Sequence, residues 1–207
     1  MVISKISVKN METRAIIRKH YKSLRNEMSA EEIQQKSAQI CGHIIASSWY
    51  KKSKVVLGYY PLGNEVNILP ILEHALSVGK VVALPRTDKD YCMDFYQVKN
   101  LDTDVTEGAF HIMEPKRRCE LLLPSVSAVE NDTVIVLVPG VVFDKKGNRY
   151  GYGRGFYDRY FVRYEKLHRV GIAYGLQISE ESLETYPTDV KMHRLVNEKE
   201  EICEGTE

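Results

Sequence analysis

The sequence has few cysteines and none of the ligand spacings that typically bind metals. Its six histidines include no HExxH motif, and its four cysteines form no CxxC pair: Cys41, Cys92, Cys119 and Cys203. Structural zinc sites and thiol redox centres usually depend on such closely spaced ligands. We therefore expect no zinc site, and reduced thiols that serve packing.

Long apolar runs and a strong net charge are also absent. No apolar run approaches the roughly 18 residues that span a bilayer, and the first residues are too polar for a signal peptide. Lys and Arg number 29 and Asp and Glu number 28, so the formal net charge is +1. Such a balance creates no global field for nucleic acid or anionic membrane. We expect a cytoplasmic monomer that binds neither, in which any anion site is local.

The length and the order of predicted elements indicate one α/β domain. A chain of 207 residues can form a single core, and no linker interrupts it. Residues 54–60 read as a buried strand, a helix capped near Asn67 runs to Val78, and residues 80–84 read as a second strand closed by Pro85. This order implies a right-handed parallel crossover. We expect residues 1–207 to form a single three-layer α/β/α domain with a mostly parallel, Rossmann-like sheet.

The remaining elements of the sheet are predicted from shorter patterns. The most apolar stretch, 133–138, should be the central strand, while 93–98 alternates as an edge or antiparallel strand does. The segment 99–129 reads as mostly irregular. Later elements are expected as a helix over 158–164, a strand over 169–174 and a short strand around 195–196.

An amphipathic helix with a basic stripe is predicted near the N-terminus, over about residues 12–28. Its basic residues recur roughly one turn apart: Arg14, Arg18, Lys22 and Arg25. The stripe is either a solvated charged face or a surface that faces phosphate groups. Ser29 and Glu32 then form a capping box that begins the next helix, which ends near Ser47.

A glycine-rich segment after the central strand reads as a polyphosphate site. Gly151, Gly153 and Gly155 lack Cβ atoms, so their backbone can adopt positive φ and close around anionic oxygens. Arg149 and Arg154 add guanidinium groups that suit phosphate geometry. No GK[ST] follows, and about ten residues of loop separate the strand from Gly151, so neither a Walker loop nor a Rossmann fingerprint is present.

Two alternatives remain open for the residues beside these glycines. Asp158 is either an acid that stabilises a helix N-terminus or a carboxylate ligand for Mg²⁺, and the two roles are compatible. The aromatic residues either pack the loop onto the sheet or form a platform for a flat heterocycle. They are Tyr150, Tyr152, Phe156 and Tyr157.

The ordered motifs of the chain resemble the 5-formyltetrahydrofolate cyclo-ligase family over nearly the whole length. The most specific match is the uninterrupted run PGVVFDKKGNRYGYGRGFYDRY, residues 139–160. The other matches are Tyr60-Pro61 with Asn64-Glu65-Val66, Gly79-Lys80 with Leu84-Pro85, Glu114-Pro115, and the basic helix with the following Met28-Ser29-Ala30-Glu31-Glu32.

This resemblance implies an ATP- and Mg²⁺-dependent ligase. In that reaction 5-formyltetrahydrofolate becomes 5,10-methenyltetrahydrofolate, with phosphorylation of the formyl oxygen, attack by N10, and release of ADP and phosphate. Such transfer depends mainly on positioning and charge neutralisation.

The resemblance also implies roles for individual residues. Catalytic roles fall on Arg149, Arg154 and Tyr157. The ATP-binding positions are Arg14, Arg18, Arg149, Tyr150, Gly151, Tyr152, Gly153, Arg154, Gly155, Phe156 and Tyr157. The folate positions are Tyr60, Glu65, Tyr152 and Gly153, and the magnesium positions are Asp158 and Asp189.

The chain departs from the family pattern at several of these positions. Arg14 stands where members carry Lys, and Arg154 where many carry Gly or Lys. Near Asp189, His193 replaces a frequent Asp and Thr188 a frequent His. Without the resemblance, Glu65 would read as a solvated loop acid. Two other functions remain open: a non-catalytic folate- or nucleotide-binding relative, and a sugar-phosphate enzyme on the same scaffold.

Overall fold

The protein is built on a seven-stranded mixed sheet. The structure, a computed structural model, describes residues 2–88, 92–108, 111–124 and 133–203. The helices are α1 (Val2–Asn26), α2 (Ala30–Ala46), α3 (Ser48–Lys52), α4 (Leu69–Ser77) and α5 (Phe156–Arg163). The strands are β1 (Val55–Leu57), β2 (Val81–Thr87), β3 (Met93–Val98), β4 (Val105–Glu107), β5 (Met113–Pro115), β6 (Val134–Pro139), β7 (Val142–Asp144), β8 (Arg149–Tyr150), β9 (His168–Ile172), β10 (Ile178–Ser179), β11 (Arg194–Val196) and β12 (Glu201–Cys203).

The large sheet has the order β12-β11-β9-β6-β1-β2-β3. Its four inner pairings are parallel, and antiparallel strands β3 and β12 form its two edges. The most apolar strand, β6, lies at its centre, as its continuous apolar run predicts. The mostly parallel α/β sheet is confirmed, as is the edge position of β3.

The two faces of the sheet bury separate apolar clusters. On one face, Val56 and Ile135 pack with residues of α2 and α4 such as Ile40 and Leu72. On the other, Val136 packs with Phe161 of α5. Successive side chains of a strand point to opposite faces, so fully apolar strands require helices on both sides. This arrangement gives the three layers that the sequence predicts.

A second, three-stranded sheet of order β10-β7-β8 follows the central strand and carries the glycine-rich segment. The ten residues that were expected as loop before Gly151 are instead the antiparallel hairpin β7–β8. The buried Asp144 side chain holds its turn, because it accepts from the Lys146 and Asn148 N–H groups. Gly147 adopts φ +81° there, and a Cβ would lie 2.4 Å from the Met192 carbonyl oxygen. Strands of two or three residues are too short to show the alternation that predicts strands.

Several predicted boundaries are wrong for identifiable reasons. Helix α1 begins at Val2 rather than near residue 12, because an established helix extends by further residues at little cost. Strand β2 continues through Pro85 to Thr87, because its neighbour β1 ends opposite Ala83 and the proline needs no amide donor on that side. The predicted capping box of Ser29 with Glu32 is present, and Gly79 ends α4 at φ +77°.

The segment 99–129, expected to be mostly irregular, contains the antiparallel pair β4–β5. Residues 109–110 and 125–129 of that segment lie outside the described residues. Two strands of three residues each give too little periodicity to be predicted. Cys41, Cys92 and Cys119 are free thiols, and burial raises the pKa of Cys41 to about 11. No helix in the described ranges is long and apolar enough to cross a membrane.

Candidate active site

One cavity of about 880 Å³ lies at the carboxyl end of the parallel strands. Ligands of open α/β sheets bind at this edge. Every residue given a role in the sequence analysis lines the cavity: Arg14, Arg18, Tyr60, Glu65, Arg149, Tyr150, Gly151, Tyr152, Gly153, Arg154, Gly155, Phe156, Tyr157, Asp158 and Asp189. Residues that are up to 175 positions apart in the sequence therefore meet in one site.

Helix α1 reaches the cavity by packing on the small sheet. Ile17 and Tyr21 contact an apolar cluster that includes Tyr150 of β8. One turn earlier, the buried Arg14 donates through Nη2 to Asp189 Oδ2 at 2.7 Å and to the Glu184 carbonyl oxygen at 2.6 Å. Its guanidinium carbon lies 3.7 Å from the centre of the Tyr186 ring, a cation–π contact.

Arg18 joins α1 to the glycine-rich segment. Its Nε donates to the Gly151 carbonyl oxygen at 2.8 Å. Burial, and next the nearby positive charge of Arg14, lower the pKa of Arg18. Arg14 and Arg18 of the basic stripe therefore line the cavity, and Arg25 of the same stripe is buried, so the stripe is not a solvated charged face. The cost of placing two cations side by side is offset where an anion binds between them.

The glycine segment turns through two residues in the left-handed region. Gly153 has φ +96° and Gly155 has φ +65°, a conformation that costs little only for glycine. Gly151 was expected to share it but does not; its role here is to offer its carbonyl to Arg18. Gly155 is also the N-cap of α5 and provides no side chain to the first-turn N–H groups. An open helix N-terminus of this kind favours anions.

A partly buried ion pair lies beside that helix end. Arg149 donates through Nη1 to Asp158 Oδ1 at 3.0 Å, and its side chain is 4 % exposed. The Val190 N–H donates to the same Asp158 oxygen at 3.2 Å, which brings Asp158 next to the peptide of Asp189. We call this region the charge-paired end of the cavity: Arg14, Asp189, Arg149 and Asp158.

A second group of lining residues holds the carboxylate of Glu65 among tyrosines. Glu65 accepts from the Leu62 N–H at 3.0 Å and from Tyr152 Oη at 2.8 Å. Burial is the main reason that the pKa of Glu65 is raised, and the same burial raises the pKa of Tyr152 to about 12. We call this region the tyrosine end: Tyr59, Tyr60, Glu65, Tyr152 and Tyr157. Glu65 is thus a buried acid and not the solvated loop acid that the sequence alone suggests.

Other lining residues had no role in the sequence analysis. They are Tyr59, Leu62, Pro85, Thr87, Met93, Ile112, Glu114, Pro139 and Tyr186. The signal for two of them was present, because Leu84-Pro85 and Glu114-Pro115 match the family pattern. Glu114 accepts from the Thr87 N–H and Oγ1 and so holds β5 against the end of β2.

The acids of the charge-paired end do not form a complete metal site. Among the described residues no cluster of three or more His, Cys, Asp or Glu side chains could hold a metal ion. Asp158 and Asp189 each carry an arginine partner. His193 does not line the cavity; its Nδ1 accepts from the Arg169 N–H. The departure from the family at residue 193 therefore lies outside the site. Arg154 lines the cavity as an exposed residue.

Comparisons with known proteins point to one family. A family model described as the 5-formyltetrahydrofolate cyclo-ligase family matches residues 10–198. A Haemophilus influenzae 5-formyltetrahydrofolate cyclo-ligase is 28% identical over 87% of this chain and 93% of its own length. The Saccharomyces cerevisiae protein of the same name is 30% identical over 76% of this chain and 80% of its own.

A solved structure extends the likeness to three dimensions. The Aquifex aeolicus 5,10-methenyltetrahydrofolate synthetase shares 30% sequence identity and has a TM-score of 0.80, with 94% of each chain covered. The range matched by the family model contains every residue that lines the cavity. The chain belongs to the 5-formyltetrahydrofolate cyclo-ligase family.

Proposed function

We propose that this enzyme closes 5-formyltetrahydrofolate to 5,10-methenyltetrahydrofolate with consumption of ATP, and that the two ends of the cavity divide the substrates between them. The observation that carries the proposal is a single cavity with paired arginines at one end and a buried carboxylate at the other. The family is ATP-dependent in general. MgATP would bind at the charge-paired end and the folate at the tyrosine end.

The charge-paired end fits a polyphosphate. Arg14 and Arg18 approach from α1, and the uncapped N-terminus of α5 faces the same cavity. The Nε atoms of Arg14 and Arg149 are buried without a hydrogen-bond partner in the described part of the chain. Buried donors without acceptors are costly, and anionic oxygens supply acceptors. The residues that would hold the nucleotide are those that were given this role in the sequence analysis, from Arg14 and Arg18 to the run 149–157.

Magnesium would be held by Asp158 and Asp189 together with phosphate oxygens. Mg²⁺ commonly binds one or two protein carboxylates and completes its coordination with phosphates and water. Two carboxylates that flank the Asp189–Val190 peptide fit that pattern, and a self-contained cluster of acids is not needed. In the bound state the arginine partners would share these carboxylates with the ion.

The tyrosine end fits a flat heterocycle with N–H donors. A carboxylate can accept two parallel N–H bonds, and Glu65 presents one inside a wall of aromatic rings. Tyr60, Tyr152 and Gly153 complete this wall. Burial raises the pKa of Glu65 because it destabilises the ionised carboxylate, and N–H donors of a bound ligand would stabilise that ionised form.

When bound, the nucleotide would supply the phosphoryl group that turns the formyl oxygen into a leaving group, and magnesium held by Asp158 and Asp189 would neutralise charge on that group. Arg149, held by Asp158 at the charge-paired end, would place a fixed positive charge beside the phosphoryl group, and Arg154 of the same lining would add a second. Tyr157 closes the wall beside Arg149, whose guanidinium carbon lies 5.6 Å from its ring centre. These residues act by positioning and electrostatic stabilisation.

The test is direct. The protein is incubated with 5-formyltetrahydrofolate and MgATP while the methenyl chromophore and ADP are measured, with omission of ATP or magnesium as controls. We expect absorbance growth with one ADP per methenyl product. A folded protein that produces neither contradicts the proposal.

Two further outcomes identify the alternatives. Calorimetric binding of the folate without turnover would indicate a non-catalytic relative, and competition by ribose phosphates but not by folates would indicate a sugar-phosphate enzyme. A cytoplasmic monomer that binds neither nucleic acid nor membrane stays a prediction.

A further inference from the structure

A buried arginine outside the cavity is connected to both loops of the tyrosine end. Arg25, near the end of α1, is 6% exposed and does not line the cavity. Its Nη2 donates to Tyr152 Oη at 2.9 Å, and its Nε donates to Asn64 Oδ1 at 2.9 Å. Among the described residues no carboxylate lies within ion-pair distance of it. Burying a guanidinium without an ion pair costs free energy, which its hydrogen bonds to Asn64 and Tyr152 have to offset.

The contact with Asn64 runs in both directions. Asn64 Nδ2 donates to the Arg25 carbonyl oxygen at 2.9 Å, so side chain and backbone of Arg25 together hold one amide. Asn64 precedes Glu65 in the loop that leads from β1 to α4. Within that loop the Glu65 N–H donates to the Leu62 carbonyl oxygen and the Leu62 N–H donates back to Glu65 Oε2. The position of the Glu65 carboxylate is therefore tied to Asn64 and, through it, to α1.

The contact with Tyr152 completes a chain of donors. Arg25 donates to Tyr152 Oη, and Tyr152 Oη donates to Glu65 Oε1. Tyr152 belongs to the glycine segment. Arg18 holds the preceding residue of that segment separately, because its Nε donates to the Gly151 carbonyl oxygen. One guanidinium thus sets the distance between the Glu65 loop and the tyrosine that covers it.

We propose that Arg25 is a positioning residue for the folate. It fixes the position of the Glu65 loop relative to Tyr152 without touching the substrate. Arg18 holds the glycine segment independently, through the Gly151 carbonyl oxygen. This inference rests on the proposed function for its kinetic consequence. It predicts a defect confined to one of the two substrates.

The charge of Arg25 has a second, separable effect on Glu65. The groups that face this carboxylate are Lys22 and Arg25 from α1, Tyr59 after β1, Tyr152 in the glycine segment, Tyr157 in α5 and Tyr174 after β9. Burial raises the pKa of Glu65, while the positive charges of Arg25 and Lys22 lower it. Removal of the Arg25 charge therefore moves ionisation of Glu65 to higher pH.

The kinetic test uses Arg25→Lys and Arg25→Gln, with Lys19→Ala at an exposed position of the same helix as control. Lysine keeps the charge but cannot span Asn64 and Tyr152 together, and glutamine loses the charge. In both variants we expect KM for 5-formyltetrahydrofolate to rise about tenfold and KM for MgATP to change less than about twofold. The acidic limb of kcat/KM for the folate should move to higher pH in Arg25→Gln only.

Hydrogen–deuterium exchange provides a readout that does not depend on turnover. Peptides that cover residues 61–66 should exchange faster in Arg25→Lys and Arg25→Gln, while those over 147–151, held by Arg18 and the hairpin, should not change. Equal rises in KM for both substrates, an unchanged KM for the folate, or unchanged exchange in 61–66 overturns the inference. If the wild-type protein forms no methenyl product, the proposed function fails, and the exchange result still decides the positioning role.

Discussion

The two ends of the cavity handle buried charge in opposite ways. At the charge-paired end, each acid lies against an arginine: Asp158 with Arg149 and Asp189 with Arg14. At the tyrosine end, Glu65 has no ion pair among the described residues and accepts instead from a tyrosine hydroxyl and a backbone N–H.

Because of this difference, we expect substitutions at the two ends to affect stability and activity in different proportions. Removing one partner of a buried ion pair leaves the other charge uncompensated, so substitutions at the charge-paired end should damage folding and activity together. Removing the lone charge of Glu65 relieves a desolvation cost, so substitution there should damage activity alone. The comparison makes four predictions, which follow from the largest expected effect to the smallest.

The largest effect is expected from Arg149→Ala. Turnover should fall by about 10²–10³, because a fixed charge at the reacting group is lost. Loss of the partly buried pair with Asp158 should also lower the free energy of unfolding by about 2 kcal/mol. Steady-state kinetics and denaturant unfolding measure both. In Arg149→Ala/Asp158→Asn stability should partly recover and turnover should not; full recovery of turnover contradicts the assignment.

Asp158→Asn probes the metal role of the same end. The Mg²⁺ concentration for half-maximal rate should rise about tenfold, because a neutral amide is a weaker ligand than a carboxylate. Titration of Mg²⁺ at saturating ATP and folate measures this. His193→Asn is the matched control, since His193 lies outside the cavity, and its Mg²⁺ dependence should equal that of the wild type. An unchanged requirement in Asp158→Asn removes Asp158 from the metal site.

Glu65→Gln tests the tyrosine end for stability. Because the folded-state pKa of Glu65 is raised, its contribution to stability is present at low pH and is lost as pH rises from the unfolded value of about 4.3 through the folded value. The variant escapes this loss, so its free energy of unfolding at neutral pH should exceed that of the wild type by about 1 kcal/mol. The exposed control Glu73→Gln should show no gain. A lower free energy of unfolding in Glu65→Gln would contradict this prediction, because it would show that the Glu65 charge stabilises the fold as the charges of the paired acids do.

Two glycines between the ends give the smallest effects. Gly153→Ala should cost about 1 kcal/mol, because φ is +96° at this position. Gly151→Ala should leave stability nearly unchanged, since its φ is not positive and no atom lies within 4 Å of a Cβ there. Thermal unfolding of the pair measures the difference, and equal stability of the two variants would contradict the turn geometry.

The sequence predicted the large sheet better than the small one. Apolar runs such as 134–138 identify buried parallel strands without help from the rest of the chain, and the Ser29 capping box marks a helix start. The hairpin β7–β8 was missed because its strands depend on the buried Asp144 turn and on contacts with α1. Such tertiary determinants leave no periodic signal.

The composition of the site was predictable, but its electrostatics were not. All residues to which the resemblance assigns a role line one cavity. The pairing of Arg149 with Asp158, the burial of Glu65 and the contacts of Arg25 depend on residues that are distant in sequence. Spacing along the chain cannot reveal those distances, and a lone acid in a polar loop reads as solvated until its neighbours are known.

Ligand calorimetry on Glu65→Gln tests the division of the cavity most directly. 5-Formyltetrahydrofolate and MgATP are titrated separately into the variant and into the wild type. We expect folate affinity to fall about tenfold or more and MgATP affinity to stay within about twofold, because only the tyrosine end has changed. Equal losses for both ligands, or unchanged folate affinity in the folded variant, would contradict the assignment of the two ends.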